Sequence, residues 1–276
     1  MPIVVRDLVP EFLAQTPATG AERPASWQRY RERISKYHDP GLDERRLAEL
    51  FTDSGRLTAR ADVIRRTAST ALSSAAGLMG VMNVDVQVVV LVGLFTANGW
   101  VAPLNGRAEL FVAVERYPND ERYGRLLLIH EASHVVHDRA GDHASWPEHG
   151  IAAALMSEGL ATLVSSLAEP GLSDAQCLWF AEGFEDWHQA CRTHQRTVLD
   201  RLLAALDGDN PDTYAAYFQM RDSPERGDLP RRCGYYVGLN VVRELHRYHP
   251  LAELARWPYT RVVTEVRQAL TMLRDA

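Results

Sequence analysis

The stretch Leu126-Leu127-Leu128-Ile129-His130-Glu131-Ala132-Ser133-His134-Val135-Val136 decides how this chain is read. Its apolar residues predict a helix over 121–138, and Pro118-Asn119-Asp120 supplies a cap just before it. On a helix, residues four apart lie on one face a single turn apart, so His130 and His134 can both reach one ion. The pattern is HExxH, in which two histidines bind zinc and the intervening glutamate, here Glu131, acts as a base.

A third ligand is expected downstream. The segment 151–168 reads as another helix, and Glu158 stands in the middle of an otherwise apolar run. A buried carboxylate there needs a partner, and a metal opposite the first helix would supply one. Gly159 beside it would let the two helices approach closely. Two histidines and one glutamate leave an open position for water, which catalytic zinc requires, and Glu131 would accept that water's proton. A donor for the developing oxyanion is still needed, and either Tyr235 or Tyr236 in Arg232-Cys-Gly-Tyr-Tyr-Val-Gly-Leu could provide it. His137 falls on nearly the same face as His130 but one turn too far on, so it is expected to pack or to support the site. His143 and His149 lie between the two ligand helices and could shape the cleft. For them and for His188, His194, His246 and His249, solvated histidine is the default expectation.

Outward from the motif, β-branched residues from Val84 to Leu94 predict a strand, followed by an extended piece at 100–104. Asn105-Gly106 is a hairpin dipeptide, and 109–115 completes a small antiparallel or mixed sheet. Residues 1–25, with Pro10, Pro17, Gly20 and Pro24, suit an extended lead-in. Amphipathic helices are expected at 26–36, 43–57 and 57–78. After the sheet, helices are expected at 151–168, 174–206, 211–220, 233–248 and 259–274, with a charged loop at 221–232. The fold class is α+β. Its parts are the lead-in, a unit of helices, sheet and HExxH helix over 26–150, and a helical part over 151–276, all forming one continuous catalytic unit.

Composition narrows the partners. The 276 residues suffice to bury a core without metal or disulfide staples. A net charge of −6 and the lack of any run of basic residues argue against nucleic acid and anionic membranes. Cys177, Cys191 and Cys233 are too widely spaced for a disulfide framework or a CxxC site, which fits a reducing compartment. The N-terminus carries no signal-peptide pattern, and no stretch approaches the ~18 uninterrupted apolar residues of a membrane span. A cytoplasmic location is expected.

With these residues in place, the chain resembles the gluzincin division of zinc peptidases, and within it a bacterial family of zinc-dependent proteases of undefined substrate. The resemblance rests on HExxH and Glu158-Gly-Leu-Ala, supported by Trp27-Gln-Arg-Tyr30, Gly106-Arg-Ala-Glu-Leu-Phe-Val-Ala-Val and Gly234-Tyr235-Tyr236-Val-Gly238. It implies a zincin-like fold, zinc held by His130, His134 and Glu158, Glu131 as general base and Tyr235 as the oxyanion tyrosine. One departure bears on activity, and two nearby zincin classes are set aside. Gly80-Val81-Met82-Asn83 lacks the glutamate with which related aminopeptidases anchor a free amine. His137 and Ala140 replace the glycine and third histidine of metzincins. Thr162 stands where thermolysin-like enzymes carry an acid.

The leading functional expectation is a metallopeptidase that binds an extended peptide along the sheet edge. The alternative is a zinc hydrolase acting on a small amide, lactone or epoxide. A lesser one is a non-catalytic zinc-binding interaction protein, which would have no use for Glu131. An open groove beside an unpaired strand would favour peptide, and a closed apolar cavity the small molecule.

Overall fold

The computed structural model describes residues 3–14, 50, 52–95, 97–104, 106–141, 143, 145–220 and 222–276. The helix expected at 26–36, most of that at 43–57, the Trp27–Tyr30 segment and Asn105 lie outside these residues.

Four strands, β1 (Val4–Asp7), β2 (Gln87–Leu91), β3 (Gly99–Leu104) and β4 (Arg107–Ala113), form one sheet in the order β1-β2-β4-β3. The chain reaches β2 through α1 (Val9–Ala14) and α2 (Ser54–Leu78). After β4, a short 3-10 turn leads into α3 (Glu121–Ala140) and α4 (Ile151–Ala168). Then come α5 (Asp174–Trp179), α6 (Glu185–Thr193), α7 (Gln195–Ala205) and α8 (Pro211–Phe218). Three more helices close the described chain: α9 (Cys233–His246), α10 (Leu251–Leu254) and α11 (Tyr259–Asp275). The result is a mostly helical protein around a small mixed sheet.

The sheet departs from the simplest expectation in two ways. β2 runs parallel to β4, Val88 opposite Leu110, and only the β3–β4 hairpin is antiparallel. The chain leaves β2 through Leu94 and Phe95, both in the left-handed region at φ 62 and 63, and crosses to the far side of β4 before returning as β3. Glu115, buried at the end of β4, fixes this crossing by accepting the backbone N–H groups of Gly93 at 3.0 Å and Phe95 at 2.8 Å. The second departure lies in the expected lead-in. Val4–Asp7 is extended, but as a strand parallel to β2, and Leu8, Val9 and Phe12 are core residues. Apolar side chains there outweigh the proline pattern nearby.

The layers position the site. α2 covers β1 and β2, α3 lies beside it over β3 and β4, and α4 packs on α3 from the other side. α9 then packs along α4, the most extensive helix contact in the described chain. By length and composition α4 is apolar enough to cross a membrane, although Ser157, Glu158 and Thr162 interrupt its apolar run. It is the central helix of the protein, 72% buried.

The long helix expected at 174–206 is three helices. Phe180 ends α5 in the left-handed conformation at φ 55, its N–H bonded to the Gln176 carbonyl at 2.8 Å, and Gly183 follows at φ 86. Helical periodicity survives such a break, because each piece keeps an apolar face toward the same core.

Candidate metal centre

Asp120 caps α3 by accepting the N–H groups of Arg122 at 2.8 Å and Tyr123 at 3.2 Å. The helix that follows is buried from Tyr123 almost to its end, so its imidazoles project into the protein rather than into solvent. His130 Nε2 and His134 Nε2 stand 3.2 Å apart. Glu158 Oε2 reaches across from α4 to 3.2 Å from the first and 3.4 Å from the second. Among the described residues these three alone form such a ligand group. A tetrahedral ion with ligands at about 2.0–2.1 Å requires neighbouring ligand atoms about 3.3–3.4 Å apart, and the observed triangle matches that edge. Glu158 Oε2 is buried with no donor aligned for a hydrogen bond, which suits an atom aimed at a common centre. The residues therefore fit a metal ion.

Electrostatics follow from burial and proximity. Burial disfavours a charged Glu158, but His134 and His130 together outweigh it and hold its carboxyl far below the ordinary range. Burial likewise works against a charged His134, and the Glu158 carboxylate overcomes it, lifting the imidazole to about 9. His130 goes the other way, lowered mainly by burial. Glu131, 8% exposed, is raised to about 7 by burial, with His134 opposing and Glu158 adding. Its side chain lies against Gly99 at the start of β3. A Cβ on that glycine would stand 2.8 Å from Glu131 Cγ, so only glycine leaves room for the carboxylate.

Ser157 was not foreseen in the sequence. Its hydroxyl lies 3.2 Å from His134 Nδ1. Accepting the Nδ1 proton there leaves the Nε2 lone pair facing the ligand triangle. This support comes from the residue before Glu158, whereas Thr162, one turn on, is buried with its hydroxyl unbonded. Adjacency to Glu158 was the only signal available. Gly159 does permit a close approach, but of α4 to α9 rather than to α3: its nearest neighbours are Gly238 and Val242.

The two tyrosines separate. Tyr235 lines the cleft on both sides of the ligands. Burial, then the charge of Glu158, raises its phenol well above the ordinary value, so it stays protonated. Tyr236 points away and donates to Gln195 Oε1 at 2.6 Å, so it is not part of the site. Consecutive helical residues diverge by about 100°, and α9 has only one face on the cleft. Tyr214 of α8, which no sequence motif marks, lines the cleft beside Tyr235, and its phenol is raised by burial and by Glu158. Phe180, at the helix break, sets its ring 5.1 Å from that of His130.

Two joined cavities make up the cleft. The smaller, about 450 Å³, runs past Gly99, Trp100 and Val101 to a cluster in which His137 lies 4.0 Å from His143 and 5.4 Å from Trp146. His143 is thus packed rather than solvated, and His137, buried, is lowered well below its ordinary value. The larger, about 1120 Å³, extends over Phe180, Tyr123 and Arg232. Gly80–Asn83 lines neither cavity; the backbone beside the ligands is Gly99–Val101, which carries no acid. His149, His188, His194, His246 and His249 also line neither.

No family model matches this chain, and neither a curated protein nor a solved structure matches it.

Proposed function

We propose that the chain is a zinc-dependent hydrolase with a zincin-like, gluzincin-type site, cleaving peptide bonds in a substrate laid along β3. The observation that carries this reading is the convergence of His130 Nε2, His134 Nε2 and Glu158 Oε2, with Glu131 buried in the same cleft. Those three residues would hold the ion. A zinc ion supplies Lewis acidity, polarising a carbonyl and lowering the pKa of water toward neutrality.

The protein's own groups perform the rest. Glu131, wedged against Gly99, takes a proton from the attacking water and returns it to the leaving nitrogen. A carboxyl raised by burial toward neutral pH suits a group that must both accept and release that proton. Tyr235, held as a neutral phenol, donates its O–H to the oxygen on which charge develops, and Tyr214 stands beside it.

Cleft shape supports peptide over small molecule. Open cavities lie on both sides of the ligands, and β3, beside them at Gly99–Val101, is the edge strand of the described sheet, next to β4. A peptide adding there as a strand would carry its scissile bond past Glu131.

The test is metal analysis and hydrolysis of a peptide library. Wild type is expected to carry about one zinc and to cleave, E158A to lose both, and E131Q to keep zinc without cleaving. Full zinc occupancy in E158A would remove the third ligand. Zinc without any peptide cleavage would move the reading to the small-molecule hydrolase.

A further inference from the structure

Three arginines line the larger cavity: Arg60, Arg116 and Arg232. Arg60 donates to the carbonyls of Val114 at 3.1 Å and Glu115 at 2.9 Å and to Asn119 Oδ1 at 2.7 Å. Arg116 donates to the Phe95 carbonyl. Arg232 is different. Its guanidinium carbon lies 4.6 Å from the centre of the Trp179 ring and 4.3 Å from that of Tyr235. Among the described residues it has neither a hydrogen-bond acceptor nor a carboxylate partner. Of the cavity's three acids, Asp120 is engaged on the α3 N-terminus, Glu182 with the Tyr123 hydroxyl, and Glu131 lies against Gly99 without an ion pair to Arg232.

A half-buried guanidinium between two aromatic rings is fixed in its plane, with its N–H edge uncommitted. That edge matches a carboxylate, to which it can make two parallel charge-assisted bonds. The backbone reinforces the point. Arg232 precedes α9 in the left-handed region at φ 60, which a residue with a Cβ seldom adopts. Phe180, which lines the same cavity, does likewise at φ 55. Such conformations persist where packing over-determines them, and they cluster at binding sites.

We propose that Arg232 anchors a carboxylate of the substrate, either a chain-terminal carboxylate or an acidic side chain, in the larger cavity beside Phe180. The position of the scissile bond rests on the hydrolase reading; the anchoring needs only the cavity. Selectivity for acidic substrates would then follow from one residue, since a neutral isostere leaves the guanidinium edge unpaired.

Calorimetric binding to the full-length E131Q protein tests this. One probe pair is N-acetyl-Ala-Ala-Phe-Ala as free acid and as C-terminal amide. The other is the amide N-acetyl-Ala-Glu-Phe-Ala-NH2 and its glutamine counterpart. In one pair the carboxylate is expected to bind about tenfold more tightly, and that pair identifies which source the site reads. R232Q should abolish the preference while leaving the neutral probe's affinity in place, and R232K, which keeps the charge but loses the fork, should retain only part. Equal binding within both pairs, a preference that survives R232Q, or no binding of any probe overturns the proposal. The readout is affinity, so a wild type without zinc or turnover would remove the hydrolase reading while the carboxylate preference remained measurable.

Discussion

Gly159 of α4 and Gly238 of α9 meet backbone to backbone: a Cβ on Gly159 would lie 2.1 Å from the Gly238 carbonyl oxygen, inside any allowed contact. The residue before Gly159 is the candidate ligand Glu158, so a shift of α4 at this contact would also move that carboxylate relative to His130 and His134. G159A is expected to push the helices apart. The usual helix-propensity gain of about 1 kcal/mol is outweighed by overpacking of about 1–3 kcal/mol or more. Metal affinity should fall with it. G77A provides the contrast, because nothing lies within 4 Å of a Cβ there, and a gain of about 0.5–1 kcal/mol is expected. Urea titrations of both variants, with metal content measured alongside, check the pair. A stable, metal-replete G159A would contradict this account of the interface.

Burial of Glu131 lowers the stability of the metal-free protein. Its folded pKa, about 7, lies above the unfolded value near 4.3, so the folded state binds the extra proton between them. The resulting loss of stability is absent below about pH 4, grows through that window and is complete above about pH 7, with an upper bound on the order of 4 kcal/mol. Chelated E131Q should therefore be more stable than chelated wild type at pH 8, with the gap shrinking at pH 5. Denaturation midpoints at the two pH values decide it, and a gap independent of pH would mean that Glu131 is not raised.

Tyr235 and Tyr236 should respond in opposite ways. Y235F is expected to lower kcat by about 100-fold with little change in stability, since Tyr235 lines the cleft. Y236F should leave kcat alone and cost about 1 kcal/mol through loss of the 2.6 Å bond to Gln195. Steady-state kinetics beside thermal melts separate the two, and a kcat defect in Y236F would reverse the assignment.

What the sequence determined by itself is local. The four-residue spacing of His130 and His134 is a property of any helix, and Asp120 with the apolar run before His130 specifies that this helix forms. Glu158 was legible for a different reason, since a carboxylate in an apolar helix must meet a partner. The tertiary structure decided everything that depends on which surfaces meet. It set β2 parallel to β4, turned Gly159 toward α9, broke the helix at Phe180 and brought Ser157, Tyr214 and Arg232 around the ligands. Helical period fixes which residues share a face, but only packing between segments far apart in the chain fixes what that face meets.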